Sequence, residues 1–276
     1  LEKQGMERVG GEWFRCTEKE IRAAWLAVRT RTANMENRTR DFAMRPEQKE
    51  AVKRTLNYFK AERADGRTPR FLWNAKMRFG KTFAAYQLAR RLNARRVLIL
   101  TFKPAVQTAW KEDLETHLDF EGWQFICREQ GPEALPIDAQ YRQADAGRPI
   151  VCFGSFQDFL GVNKETGGIK PQHEWVREIN WDLVIFDEYH FGAWKENAKA
   201  LFLMEDEEEE YNTALPETNS GNVCDEQDLP ITADHYLYLS GTPFRALNSG
   251  EFIEEQIYSW TYSDEQEAKA SWQGPD

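Results

Sequence analysis

Gly80, Lys81 and Thr82 close an eight-residue stretch, AKMRFGKT, that begins at Ala75. It follows a short apolar run at 71–74 and opens a helical pattern over 82–92, where Ala84, Ala85, Leu88 and Leu92 share a face. Glycine lets a backbone approach an anion closely, and the N–H groups of a new helix N-terminus point at it. In that setting Lys81 would reach the β- and γ-phosphates of a nucleotide, and the Thr82 hydroxyl would bind Mg²⁺. Ala75, Lys76, Met77, Arg78, Phe79 and Gly80 would form the rest of the phosphate cradle. The triplet alone is a weak signal, arising by composition in about one chain in ten; the strand and helix around it strengthen it. Ala75 stands where such loops usually begin with glycine. Arg78 reads equally as a phosphate contact or as a solvent-facing side chain.

A second stretch, WDLVIFDEYH from Trp181 to His190, carries an apolar strand that delivers Asp187 and Glu188 to its C-terminal end. Ligands of open α/β sheets bind at that edge. Asp187 would hold Mg²⁺ through water, and Glu188 would polarise an attacking water. An Asp-Glu pair merely ending a strand is the simpler reading; a phosphate loop upstream weakens it.

The elements that must position these groups alternate. A helix is expected from Pro46, with Ala51, Val52, Leu56 and Phe59 as its apolar stripe and Asp65-Gly66 as its end. Strands are expected at 97–101, 124–127, 150–153, 183–186 and 236–239, and a helix at 104–118. Strands apolar throughout and separated by helices argue a parallel sheet covered on both faces. Residues 17–28 show a short helical pattern with Ile21, Trp25 and Val28 on one face, and 29–40 read as a basic linker.

The chain has 276 residues, and its net charge of −10 hides an asymmetry. Residues 1–111 hold 26 Lys and Arg against 11 Asp and Glu, or +15; residues 112–276 hold 10 against 35, or −25. One anion-facing surface and a separate acidic region is one reading, and two ordinary solvated faces is the other. No Lys or Arg occurs between Lys199 and Arg245, and residues 205–210 are all acidic. This marks about 204–230 as a disordered acidic insertion. No run of about 18 apolar residues suggests a membrane span. Four cysteines without a CxxC pair suit a reducing, cytoplasmic setting.

Taken together, the motifs resemble the first motor domain of a superfamily 2 helicase or translocase. DEYH at 187–190 is similar to the DEAD/DEAH-box motif II. Ser240, Gly241 and Thr242, after the run LYL, resemble motif III, which couples the nucleotide site to nucleic-acid binding. Arg45-Pro46-Glu47-Gln48 resembles the Q-motif region, which makes Gln48 the adenine reader, with Phe42 or Met44 as a candidate for stacking on the base. Thr101-Phe102-Lys103-Pro104 resembles motif Ia, and Gly154-Ser155-Phe156-Gln157 resembles motif Ib. In relatives both touch the nucleic-acid backbone, which implicates Thr101, Lys103, Ser155 and Gln157. His190 would link motif II to motif III. MRFGKT and SGTPF are closest in style to helicase subunits of restriction and phage-defence systems. The resemblance covers about 42–262 and divides the chain into an N-terminal segment, 1–40, and a motor domain, 41–276.

The resemblance implies an α/β fold, a RecA-like three-layer sandwich with a mainly parallel central sheet and helices on both faces. It implies ATP and Mg²⁺ as ligands and hydrolysis coupled to movement on nucleic acid, with DNA the expected strand. It also implies a second motor domain in the continuing chain, carrying an arginine finger, and nuclease or restriction subunits as partners. Without that finger the chain is expected to bind ATP but hydrolyse it slowly. Gly11-Glu12-Trp13-Phe14 and the helix after it are similar to the end of some GIY-YIG nuclease domains, with a plain amphipathic helix as the simpler description.

Other residue types fit blander roles. Trp110, Trp123, Trp175, Trp181 and Trp194 are spaced for core and helix-face packing rather than base stacking. His117, His173 and His235 lack ligand spacing. Cys16, Cys127, Cys152 and Cys224 lack an activating pattern. Two other functional classes remain: a different phosphate-loop enzyme such as a kinase, and a non-catalytic scaffold that binds through the basic half. DEYH and the later SGT argue against the kinase. Intact Lys81, Thr82, Asp187 and Glu188 argue against the scaffold.

Overall fold

A computed structural model describes residues 7–10, 13–15, 17–18, 38–101, 103–129, 131, 134–155, 159, 171–189, 231–241 and 252–270. Residues 19–28 of the helical pattern, the acidic stretch at 204–230, and Gln157, His190, Trp194 and Thr242 lie outside them. The N-terminal piece is an antiparallel pair, β1 (Glu7–Gly10) and β2 (Trp13–Arg15).

The α/β region opens with helix α1 (Pro46–Ala64), entered at a proline and closed by Asp65, with Gly66 at φ 74°. Strand β3 (Arg70–Ala75) leads into the phosphate loop and α2 (Lys81–Arg91). Strand β4 (Arg96–Thr101) leads through a 3₁₀ turn (Pro104–Val106) to α3 (Gln107–Thr116). Then come β5 (Gln124–Ile126), α4 (Ile137–Gln143), β6 (Ile150–Ser155), α5 (Pro171–Glu178), β7 (Asn180–Trp181) and β8 (Leu183–Asp187). The described part closes with β9 (Thr232–Ala233), β10 (Tyr236–Ser240), β11 (Ile257–Trp260) and α6 (Tyr262–Ala270).

Seven of the strands form one sheet in the order β11-β3-β10-β8-β4-β6-β5, and every pairing is parallel. The strands are apolar on both faces because both faces are covered. Successive side chains point to opposite sides. Phe71, Trp73, Val97, Ile99, Val151, Phe153, Ile185 and Leu239 join one core with Ala51, Phe59, Ala85, Leu88 and Trp110 of α1, α2 and α3. Leu72, Leu98, Leu100, Cys152, Val184, Phe186 and Tyr238 join the other with Val176 of α5, against which Ile137, Tyr141 and Trp175 pack. This is the three-layer α/β sandwich that the strand pattern implied.

The structure departs from the sequence reading at three places. The helix expected over 104–118 is a 3₁₀ turn followed by α3, which stops at Thr116 because His117 turns to ψ 136°. The last residues of the supposed linker are packed: Arg38 is 6% exposed and donates to the carbonyls of Leu114 and His117. Arg40 exchanges backbone bonds with Thr116 and Leu118. A guanidinium on orphan carbonyls at a helix end replaces water there. Finally, β11, α4, α5 and α6 have no counterpart in the apolar pattern, being short or half-polar.

His235, just before β10, packs on the Phe59 ring (4.8 Å between centroids) and donates Nδ1–H to the Asp182 carbonyl at 2.8 Å. Burial, with a smaller contribution from Arg63, holds its pKa below the ordinary 6.5, against the Asp182 bond. The unfolded chain therefore takes up this proton first on acidification. Stability from neutral His235 is present above about pH 6.5 and is lost as pH falls below it. His235→Asn is expected to flatten the fall in melting temperature between about pH 7 and 5. An unchanged slope would overturn this assignment.

Candidate functional site

Because all seven strands run parallel, their C-terminal ends share one edge. In spatial order that edge carries Ala75 of β3, Ser240 of β10, Asp187 of β8, Thr101 of β4 and Ser155 of β6. The register sets Ser240 opposite Asn74, and Thr101 opposite both Asp187 and Ser155. Residues from five separated motifs thus converge on one line.

The phosphate loop is braced by its neighbours. Gly80 takes φ 78° as N-cap of α2, and Arg78 takes φ 68°. Lys81 Nζ folds back onto the carbonyls of Ala75 (2.7 Å) and Lys76 (3.4 Å). Burial lowers its pKa, and Asp187 and Glu188 oppose that fall. A methyl group at Gly241 would lie 3.9 Å from Lys81 Nζ, so the motif III glycine borders the lysine. Thr82 sits in the first turn of α2.

Gln48 is buried, and both ends of its amide are engaged: Nε2 donates to the Phe79 carbonyl (2.7 Å), and Oε1 accepts from the Arg45 N–H (2.9 Å). The Arg45 guanidinium also donates to the carbonyls of Arg78 and Phe79. The residue expected to read adenine therefore holds the loop backbone. Phe79 points its ring into the core, while Met77 and Arg78 are exposed. Lys76 is tied elsewhere: it pairs with Glu265 of α6, lies 5.0 Å from the Tyr262 ring centroid, and its N–H donates to the Trp260 carbonyl. Of the two stacking candidates, Met44 is buried in the core. Phe42 is 46% exposed and rests on Phe83 and His117, each at 4.7 Å between ring centroids.

Asp187 is 8% exposed, and both its oxygens are directed. Oδ1 accepts from the Glu188 N–H (2.9 Å), and Oδ2 accepts from Trp110 Nε1 (2.7 Å). Burial raises its pKa, and the Trp110 bond counters this. Glu188 adopts φ 55°, a left-handed conformation uncommon for glutamate, and its carboxylate lies 3.8 Å from Lys103 Nζ. Such outliers concentrate at functional sites.

Among the expected strand-contacting residues, Lys103 is exposed, whereas Thr101 and Ser155 are buried at paired strand ends. Thr101 Oγ1 accepts from the Lys103 N–H (3.0 Å) and so shapes the turn out of β4. Sequence reasoning missed Trp110, Arg45 and α6 as parts of the site. For Trp110 the only available signal was that a buried indole N–H seeks an acceptor.

The donor chemistry fits a nucleotide with a divalent cation. Ala75–Thr82 offers backbone N–H groups at a helix N-terminus and the Lys81 ammonium, Lys76 being paired with Glu265. Among the described residues no group of three or more His, Cys, Asp or Glu gathers. A cation at this edge would be held by Thr82 and Asp187 together with phosphate oxygens, the ligand pattern that suits Mg²⁺.

Similarity to known proteins narrows the class. A family model described as type III restriction enzyme, res subunit, matches residues 41–218. This chain belongs to that family. A putative type II restriction enzyme and methyltransferase (C-terminal part) of Mycoplasma pneumoniae is 32% identical over 248 residues, covering 85% of this chain. The chain spans about a third (33%) of the length of that relative. Among solved structures, the Sulfolobus solfataricus SWI2/SNF2 ATPase core in complex with dsDNA has a TM-score of 0.47 at 13% identity, covering 79% of this chain and 36% of that one. A nuclease-deletion mutant of the type ISP restriction-modification enzyme LlaGI, with a DNA substrate mimic, has a TM-score of 0.48 at 14% identity, covering 84% and 21%. Lys81, Gly241 and Asp187 stand together at the C-terminal edge of the sheet. Among the described residues no helix is long and apolar enough to cross a membrane.

Proposed function

We propose that this res-family chain binds ATP with Mg²⁺ at the phosphate loop, hydrolyses it, and couples hydrolysis to movement along DNA as part of a restriction enzyme. The observation that carries the proposal is that Lys81, folded onto the Ala75 and Lys76 carbonyls, lies within the field of the Asp187-Glu188 pair and is bordered by Gly241. Lys81 exchanges its two loop carbonyls for β- and γ-phosphate oxygens and neutralises charge that develops in transfer. Glu188 accepts a proton from the attacking water. Thr82 and Asp187 hold the cation, which supplies further charge neutralisation. Gln48 and Arg45 keep the loop backbone in place. Lys103 contacts the strand backbone, so binding is salt-dependent and weakly sequence-specific. His190, Thr242 and Gln157 take their roles from their motifs. A second motor domain is the partner this reading requires.

The test is phosphate release from ATP with and without single-stranded DNA, alongside binding of a fluorescent ADP analogue. Lys81→Ala is expected to weaken analogue binding by about tenfold or more, the scale of losing a charge-assisted contact, and to abolish DNA-stimulated release. Unchanged affinity in Lys81→Ala would move the reading to a nucleotide-independent scaffold. A labelled phosphate acceptor other than water would move it to a kinase.

A further inference from the structure

Both motif II carboxylates are touched by the same short stretch of chain, 103–110, which runs from the end of β4 into α3. Trp110 is 1% exposed and donates its indole N–H to Asp187 Oδ2 at 2.7 Å. Its ring is fixed by Tyr86, edge-on at 5.2 Å, and the Tyr86 hydroxyl donates to the Trp110 carbonyl at 3.0 Å. Seven residues earlier, Lys103 Nζ sits 3.8 Å from Glu188 Oε2. The two contacts differ in kind. The first is buried and short, which suits permanent orientation of a carboxylate. The second joins a lysine side chain that is 60% exposed to a carboxylate that is 27% exposed, and such a pair is weak and readily exchanged.

We propose that residues 103–110 carry strand occupancy to the catalytic carboxylates: Trp110 is a positioning residue for Asp187, and Lys103 leaves Glu188 when a nucleic-acid phosphate takes its ammonium. The proposal rests on the function given above. With Lys103 on Glu188, the ammonium occupies an oxygen that would otherwise face the attacking water. A backbone phosphate, one of a dense row of charges whose binding releases counterions, competes for the same lysine. Its binding returns Glu188 to the nucleotide side, while Asp187 stays oriented throughout. Lys103 therefore acts twice, as a strand contact and as a brake.

The test uses binding as well as turnover, in the full chain. Without nucleotide, Glu188→Gln removes the competitor for Lys103 and is expected to tighten single-stranded DNA binding by about two- to fivefold, the range an exposed ion pair supports. In Lys103→Met that gain on adding Glu188→Gln is expected to vanish. Basal hydrolysis without DNA is expected to rise by about the same factor in Lys103→Met, with the ratio of stimulated to basal rate falling. For Trp110, the expectation is that Trp110→Phe lowers thermal stability, through a cavity and a lost buried hydrogen bond, but keeps Mg²⁺-free ADP affinity near wild type. The strengthening of ADP binding by Mg²⁺ should shrink by about tenfold, the scale of a hydrogen bond to a charged group. If Trp110→Phe unfolds, Tyr86→Phe, which frees the Trp110 carbonyl but keeps the ring, should give a smaller loss in the same Mg²⁺ increment. Additive effects of Lys103→Met and Glu188→Gln on DNA affinity would overturn the brake. An unchanged Mg²⁺ increment in folded Trp110→Phe would overturn the positioning role. Failure of the functional reading looks different: wild type itself would show no Mg²⁺-dependent ADP binding.

Discussion

Replacing Glu188 by glutamine is expected to lower DNA-stimulated ATP hydrolysis by about 10²–10⁴-fold, the contribution of a positioned general base. Binding of Mg²⁺-ADP should stay within about twofold, because Glu188 meets the water and not the phosphates. The structure makes this separation specific. Asp187 directs one oxygen to the Glu188 N–H and the other to Trp110, and is nearly enclosed, whereas Glu188 is more open and pairs with the exposed Lys103 at 3.8 Å. Asp187→Asn should therefore behave differently. It keeps the shape but loses the charge facing Lys81, and should weaken Mg²⁺-dependent nucleotide binding together with turnover. Measuring single-turnover phosphate release beside equilibrium ADP binding separates the two. Equal losses of ADP affinity in both variants would remove Glu188 from the water-activating role.

A second large effect is expected at Gly80. Its φ of 78° is a conformation that side chains with a Cβ adopt at a cost, and an added methyl would meet Gln48 Nε2 at 2.6 Å. Gly80→Ala must displace Gln48, which would release the Phe79 carbonyl and the Arg45 N–H that the amide now holds. The expected loss of stability is about 1–3 kcal/mol, from backbone strain and broken buried hydrogen bonds. Nucleotide binding should fall further than stability does, because the displaced loop is the phosphate cradle. Urea unfolding with and without ADP reads both quantities. Gln48→Ala separates the causes: it removes the clash partner and the brace, and keeps the glycine. Wild-type ADP protection in Gly80→Ala would mean that the loop does not need its left-handed turn.

Much of this architecture is legible in the residues alone. Strands such as Val97 to Leu100 and Val184 to Phe186 are apolar without alternation, and that pattern has few solutions other than a sheet covered on both faces. Pro46 and the Asp65-Gly66 pair bound α1 by local chemistry. The phosphate loop and the Asp187-Glu188 pair are visible because their chemistry requires particular residue types at fixed spacing. What escapes a sequence reading is set by distant partners. Arg38 reads as part of a polar linker, yet it is buried where α3 leaves two carbonyls to be satisfied. Gln48 reads as a base contact, yet its amide is enclosed by its own helix cap and the loop. Thr101 and Ser155 read as strand contacts, and their mutual pairing in the sheet buries them.

The residue sequence by itself determined the kind of fold and singled out the loop and the two carboxylates of the proposed site, since each depends on local pattern and on side-chain chemistry. Only the tertiary structure decided the order of strands along the edge. Strands β3 and β4 are neighbours in sequence, yet β10 and β8 lie between them. That insertion sets Ser240 and Gly241 beside the phosphate loop and brings Asp187 level with Thr101. It also places Trp110 under Asp187 and Lys103 beside Glu188. Strand order follows from which long-range pairings bury the most apolar surface on both faces at once. No window of local sequence contains that sum.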